Sequence, residues 1–234
     1  MQLFFQEYCK SPEICLDPEE SKHLTRVLRK KNGDQVAVTN GQGDLFDCVI
    51  LDSNPKGAKL SVQKTTKIPE DDFYIHLAIA PTKSPDRMEW MIEKITEIGF
   101  HELSLIETSN SERSFLKTDR LQKKIISACK QSLKYRIPKL NPIRPLSNFI
   151  DQSASSEAIR FIAYVDENHS NHLLDVAKSK GEYLILIGPE GDFSPEEIQL
   201  AIKQNFIPVS LGRSRLRTET AGLVAVNMLQ VINR

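Results

Sequence analysis

Three arginines in five positions, Arg213, Arg215 and Arg217, run directly into Thr218-Glu219-Thr220. Arginine keeps its charge at any ordinary pH and offers a rigid fork of donors. Such a cluster in a loop either meets a phosphate or carboxylate, or pairs with acids of its own chain such as Glu190, Asp192 and Glu219. A second group, Gly188-Pro189-Glu190-Gly191-Asp192-Phe193, follows the apolar run EYLILIG. Two glycines this close let the backbone approach a ligand. The next residues, Ser194-Pro195-Glu196-Glu197, open a helix whose free amides lie nearby. This is either a small-molecule cradle or a Pro-Gly turn leading into a well-capped helix. A third loop, Pro81-Thr82-Lys83-Ser84, also follows an apolar run, IHLAIA.

Other chemistries leave no trace. Gly41-Gln42-Gly43 lacks the third glycine and the helix of a dinucleotide site, and there is no P-loop and no nucleophile elbow. His169 and His172 have no Cys or third His beside them, so no zinc site and no other metal is expected.

The three loops need a scaffold. From Phe73 onward, strand and helix patterns alternate. IHLAIA (75–80) leads to a helix opened by Ser84-Pro85, with Met88, Met91, Ile92, Ile95 and Ile98 on one face before Gly99. Then follow ELSLIE (102–107), a basic helix (118–135), AIRFIAYV (158–165), a short helix near 171–179 and EYLILIG (182–188). The helix from Ser194, the strand IPVSLG (207–212) and a last helix from Thr218 to Ile232 complete the series. Alternation of this kind implies a parallel sheet covered on both faces, with ligands beyond the carboxyl ends of its strands. Before Phe73 the pattern is β-rich. Asp17-Pro18-Glu19-Glu20, with Asp17 as cap and Glu20 where a capping box wants its acid, starts a helix running to about Lys30, and QVAVTN (35–40), LFDCVIL (45–51) and AKLSVQKT (58–65) form a meander. The polar stretch TTKIPEDD (65–72) is the expected linker, giving domains at 1–68 and 73–234.

Lys and Arg number 31, balanced by 31 Asp and Glu, so a uniformly basic nucleic-acid coat is excluded, yet the charge is uneven. Residues 111–145 carry Arg113, Lys117, Arg120, Lys123, Lys124, Lys130, Lys134, Arg136, Lys139 and Arg144 against only Glu112 and Asp119. This is either a phosphate-attracting face or a helix solvating its outer side. No stretch approaches the ~18 apolar residues of a membrane span, and no signal-peptide pattern opens the chain. With Cys9, Cys15, Cys48 and Cys129 far apart, a cytoplasmic location and no membrane partner are expected.

The blocks LILIGPEGDFSPEEI (184–198) and SLGRSRLRTETAGLVAV (210–226) together resemble the RsmE family, the ribosomal RNA small-subunit methyltransferase E enzymes of the SPOUT superfamily. HLTRVLRKKNGDQV (23–36), KITEIGF (94–100) and ACKQSLKYRIPKL (128–140) support the match. The resemblance implies an α/β fold of SPOUT type, a parallel sheet with a C-terminal trefoil knot, plus a small N-terminal PUA-like β-barrel. It also implies S-adenosylmethionine as cofactor, 16S rRNA of the small subunit as partner, methylation of N3 of one uridine, and a homodimer.

Carried over by position, the resemblance assigns cofactor binding to Leu186, Ile187, Gly188, Pro189, Glu190 and Gly191. It adds Ser210, Leu211 and Gly212, then Leu216, Arg217, Thr218 and Ala221. For catalysis the expectation is Arg217 as the cation stabilising the anionic base, with Glu190 or Glu219 as proton acceptor. For RNA it is Arg26, Arg29, Lys30, Lys83, Arg120, Lys123, Lys124, Lys134, Arg213 and Arg215. The chain departs from the family pattern in having Gln2-Leu3-Phe4-Phe5 without a preceding basic residue. It departs again at Lys130-Gln131 and Lys134, where the family has a Glu-Gln pair and an Arg. The alternatives are a SPOUT methyltransferase for another RNA position, and a noncatalytic RNA-binding assembly factor. The last helix, with Leu223, Val224, Val226, Met228, Leu229 and Ile232, supplies apolar surface for a core or for a partner.

Overall fold

The structure, a computed structural model, describes residues 2–113, 116–153, 157–165 and 171–234; His169 lies outside them. The chain divides into two compact units, one made of Met1–Glu70 with Ile126–Ile137, the other of Asp71–Ile125 with Pro138–Arg234.

The first unit contains β1 (Leu3–Phe5), β2 (Glu13–Cys15), α1 (Pro18–Lys22), β3 (Gln35–Thr39), β4 (Asp44–Asp52) and β5 (Lys59–Lys67). The strands are ordered β1-β3-β4-β5-β2, with β1 parallel to β3 and the other pairs antiparallel. Alternation along the strands turns Val36, Val38, Phe46, Cys48, Ile50 and Leu60 inward, where Phe4, Ile14 and Leu24 join them. β1 and β2 are too short to show a period in the sequence, and β5 extends three residues into the stretch expected to be linker.

Asp17 caps α1 as expected, its Oδ1 accepting from the amides of Glu19 and Glu20 at 2.8 Å each. Glu20, however, does not close a capping box. It is buried, and its carboxylate accepts from the ammonium of Lys130. The helix expected to reach Lys30 widens into a π-helical turn over His23–Val27, with the Leu28 amide reaching the His23 carbonyl at 3.0 Å. Arg29 then takes φ +53°, which stops the helix. The wide turn keeps Leu24 in the core and puts Val27 in solvent.

Residues 126–137, expected to belong wholly to the second domain, are bonded into this unit. The Gly43 amide donates to the Tyr135 carbonyl at 2.9 Å, and the Ile137 amide to the Gly41 carbonyl at 2.9 Å. The Arg136 guanidinium donates to the carbonyls of Gln42 at 2.7 Å and Ile68 at 2.9 Å. Gly43 has φ +95°, and a Cβ there would lie 2.5 Å from the Arg136 guanidinium, so turn and arginine require each other.

The second unit is built from β6 (Tyr74–Ile79), α2 (Pro85–Ile98), β7 (Glu102–Glu107), α3 (Thr118–Gln131), β8 (Lys139–Pro145) and α4 (Leu146–Ser153). β9 (Ile159–Ala163), α5 (Leu173–Val176), β10 (Glu182–Ile187), α6 (Pro195–Lys203), β11 (Ile207–Val209) and α7 (Thr218–Ile232) follow. The last six residues of α3 fall in the first unit by contacts. The sheet order is β11-β9-β10-β6-β7-β8, and every pair is parallel. One face of the sheet, through Ala78, Ile162, Leu184 and Leu186, packs with Phe149 and Ile150 of α4 and Ala201 of α6. Leu77 and Ile79 turn the other way, toward Gly222 of α7 and Met91 of α2. β8 and α4 are absent from the sequence reading because Pro142 and Pro145 break the strand pattern and the helix is only two turns long.

A polar cluster crosses β6, β7 and β8. His76 Nε2 lies 2.8 Å from Ser104 Oγ, and Glu102 accepts from Tyr74 (2.8 Å), Lys139 (2.9 Å) and Asn141 (2.6 Å). Burial holds the His76 imidazole neutral, with a pKa lowered from 6.5 to about 4. As pH falls the unfolded chain takes up this proton first. Stability that is full above pH 6.5 is therefore lost between there and about pH 4. Replacing His76 by Asn is expected to flatten the melting temperature across that window, and an unchanged slope would dismiss the assignment.

Candidate functional site

The carboxyl ends of β9, β10 and β11 stop side by side at Ala163, Ile187 and Val209. The loops that leave them enclose a cavity of about 900 Å³. Such a volume suits a small organic ligand of nucleoside size. One wall is Ile187-Gly188-Pro189-Glu190 with Asp192; the other is Ser210-Leu211-Gly212 and the arginine loop as far as Thr218, with Ala221 from α7.

Two residues assigned to cofactor binding stand elsewhere. Leu186 is fully buried in the core beneath α4 and α6, since its neighbour Ile187 takes the other side of the strand. Gly191 lies on the outer side of its loop, where a Cβ would stand 3.1 Å from Asn110 Cβ. Gly188 faces inward, and a Cβ there would meet the Phe193 ring at 3.2 Å and Asp192 Oδ1 at 3.3 Å. Gly212 has φ +131°, a conformation open in practice only to glycine, and nothing stands within 4 Å of where its Cβ would be.

The three acids that could have neutralised the arginines are engaged elsewhere. Glu190 Oε1 accepts from the Lys83 amide at 3.1 Å. Asp192 accepts from its neighbour Phe193 N at 2.8 Å and from Val165 N at 3.0 Å, which ties the β10 loop to the end of β9. Glu219 lies in the first turn of α7 but does not line the cavity. It is buried, faces Arg87 of α2 at 3.7 Å, and leaves Oε2 without a hydrogen-bond partner among the described residues. The guanidinium groups of Arg213, Arg215 and Arg217 thus line the cavity exposed, with no ion pair among the described residues. Arg217 is also the N-cap of α7, its carbonyl accepting from Ala221 N at 2.7 Å. Its backbone is fixed, while its side chain makes no ion pair among the described residues.

The cations expected to meet RNA fall into two groups. Arg120 pairs with Glu89 at 2.6 Å, Lys124 with Glu93 at 3.1 Å, and Lys83 with Glu112 at 2.9 Å. Much of the positive charge of α3 is therefore matched by acids of α2. Arg26, Arg29 and Lys123 are exposed without ion pairs among the described residues; Lys30 is half-buried and Lys134 is engaged.

Tyr164, Val165, His172, Asp192, Val209 and Ser214 also line the cavity. Of these, Asp192 carried a legible signal: it sits at φ +61°, in the αL region that a turn residue after Pro-Glu-Gly signals. The others are brought in by strand order, which no local pattern encodes. Among the described residues no helix is long and apolar enough to cross a membrane, and no three His, Cys, Asp or Glu side chains group as for a metal.

The model of a family described as RNA methyltransferase domain matches residues 69–230, and that of the RNA methyltransferase PUA domain matches residues 16–63. The chain is 42% identical to a probable rRNA-methyltransferase from Porphyromonas gingivalis, with a TM-score of 0.92 over 100% of this chain and 98% of that one. It is 26% identical to the ribosomal RNA small subunit methyltransferase E of Neisseria gonorrhoeae solved with S-adenosyl methionine bound, with a TM-score of 0.90 over 100% and 98% of the two chains. The enzyme of that name from Buchnera aphidicola is 29% identical over 93% of this chain and 87% of its own length.

Proposed function

The chain belongs to the RNA methyltransferase domain family, and from that premise we propose that it transfers a methyl group from S-adenosylmethionine to N3 of one uridine in 16S rRNA of the small subunit. The observation carrying this reading is the cavity at the ends of β9, β10 and β11, lined by glycine-bearing loops and by three arginines that have no ion pair among the described residues. The residues present fit the cofactor: Ile187, Val209, Leu211, Leu216 and Ala221 offer apolar surface to a base. Gly188 and Gly212 bring main-chain groups up to the space without side chains in the way.

The bound cofactor supplies a methyl group already activated on a sulfonium, so the protein's work lies with the acceptor. Neutral uracil N3 is a poor nucleophile and sits on the Watson–Crick edge, so the base must leave its stack to react. In this reading Arg217, which has no ion pair among the described residues, sets its guanidinium against the negative charge that develops on the carbonyl oxygens of uracil as the N3 proton departs. Of the two candidate acids, Glu190 lines the cavity and reaches solvent, which favours it over the buried Glu219 as proton acceptor. Incubating the protein with labelled S-adenosylmethionine and small subunits lacking their own modifications tests the reading. 3-Methyluridine is the expected product; another methylated nucleoside would move the target position, and none at all would favour an assembly factor.

Arg213, Arg215 and Lys123, which have no ion pair among the described residues, carry the proposed phosphate contacts. Each substitution to Ala is expected to lower the salt slope of RNA binding by about one, whereas Arg120→Ala, which removes a cation already matched by Glu89, leaves the slope nearly unchanged. Equal slopes for all four variants would refute this division. The homodimer belongs to the same proposal. α7 buries Ala225, Val226 and Leu229 in its own unit and keeps Leu223, Val224 and Met228 partly open, and sedimentation at micromolar concentration tests it.

A further inference from the structure

The β10 loop is also held from behind, by a residue that does not itself line the cavity. Asn110 lies beyond β7, and β6 separates β7 from β10 in the sheet. Its Nδ2 donates to two successive carbonyls of the loop, Gly191 O at 3.1 Å and Asp192 O at 3.0 Å. Ser109, its neighbour, donates from both N (2.7 Å) and Oγ (3.1 Å) to Glu197 Oε1. The other Glu197 oxygen accepts from Ser194 N at 2.9 Å, closing the capping box of α6. The segment after β7 therefore grips the β10 loop at its tip and at the helix it leads into.

From the cavity side, the Asp192 carboxylate draws the same loop to Val165. Asp192 adopts φ +61°, a left-handed conformation that a non-glycine residue keeps only where its surroundings hold it there. Two carbonyls engaged by one amide group on the outside and two backbone amides engaged by one carboxylate on the inside are what hold it.

We propose that Asn110 is a positioning residue of the cofactor site: it sets the path of residues 188–192 and thereby the wall against which the methyl donor binds. The inference rests on the proposed function, since the cavity must be the donor's site. Asn is suited to the task because its NH2 group donates twice. Asp has nearly the same shape but, when ionised, can only accept, and would face both carbonyls with repulsion.

The test is calorimetric binding of S-adenosylmethionine to the intact protein and its variants, with steady-state methyl transfer alongside. Asn110→Ala is expected to weaken donor binding by about 5- to 10-fold, the equivalent of one or two net hydrogen bonds, and Asn110→Asp to weaken it further. KM for the donor rises in parallel, while kcat at saturating donor and KM for RNA stay within about twofold, which a general loss of folded protein would not produce. Unchanged donor affinity in Asn110→Ala, or Asn110→Asp binding as tightly as wild type, would overturn the assignment. Failure of the wild type to bind the donor would instead overturn the proposed function, and the inference with it.

Discussion

Replacing Arg217 by Ala is expected to reduce kcat by about 10²- to 10³-fold under saturating donor and RNA, the usual cost of removing one preorganised donor from a developing anion. Its guanidinium has no ion pair among the described residues, so the loss leaves no buried acid behind and the melting temperature should hold. The N-cap role is carried by the backbone carbonyl, which Ala retains. Arg217→Lys should recover part of the rate, because charge persists while the planar fork is lost. Single-turnover methyl transfer is the proper measurement, since it separates chemistry from product release. Near-normal turnover in Arg217→Ala would remove the residue from the mechanism and direct attention to Arg213 and Arg215.

The largest effect on stability is expected at Lys130. Its ammonium meets Glu20, which is 6% exposed and whose Oε2 has no hydrogen bond among the described residues. Burial pushes the Glu20 carboxyl up, and Lys130, by hydrogen bond and charge, pulls it back toward the ionised form. Lys130→Ala strands a buried carboxylate, and removing one partner of such a pair costs about 3–5 kcal/mol. The Lys130 side chain is 23% exposed, so solvent moderates the loss and the low end of that range is expected. The melting temperature should fall by about 6–12 °C at neutral pH. The sign of the pH dependence is specific. With Lys130 gone, the folded state holds the Glu20 proton more tightly than the unfolded chain, so acidification from neutral should narrow the gap between variant and wild type. The double variant Lys130→Ala with Glu20→Gln should recover most of the loss, and a deficit that no change at Glu20 relieves would refute the pairing.

These two sites also mark what a sequence can and cannot disclose. The arginine triplet and the Gly-Pro-Glu-Gly loop stand out because each is local: residue type and spacing within a dozen positions are enough. The long strands and helices that carry them are legible for the same reason, with β10 and α2 within a residue of their observed limits. The Glu20–Lys130 pair spans 110 positions, and Glu20 looked like half of a capping box until its real partner was seen. Glu219 is similarly misleading. It follows Arg217 by two residues, but Arg217 is the extended N-cap and Glu219 stands inside the first turn of α7, so one lines the cavity and the other faces α2. Asn110 was invisible because an isolated Asn after a strand has no pattern at all. Even the basic middle of the chain, conspicuous by composition, changed meaning once Glu89 and Glu93 stood opposite Arg120 and Lys124.

The return of residues 126–137 to the first unit has a consequence for how the protein comes into being. As the chain emerges from the ribosome, the strands β1 to β5 are complete well before Tyr135, Arg136 and Ile137 exist to occupy the carbonyls and amides of the Gly41–Gly43 turn. The N-terminal unit must wait, part-made, until β6, α2 and β7 of the other unit have been synthesised. Maturation is thus interleaved rather than sequential, and a nascent chain arrested just after Glu70 should be far more open to protease at that turn than one arrested past Ile137 with enough tether to clear the exit tunnel.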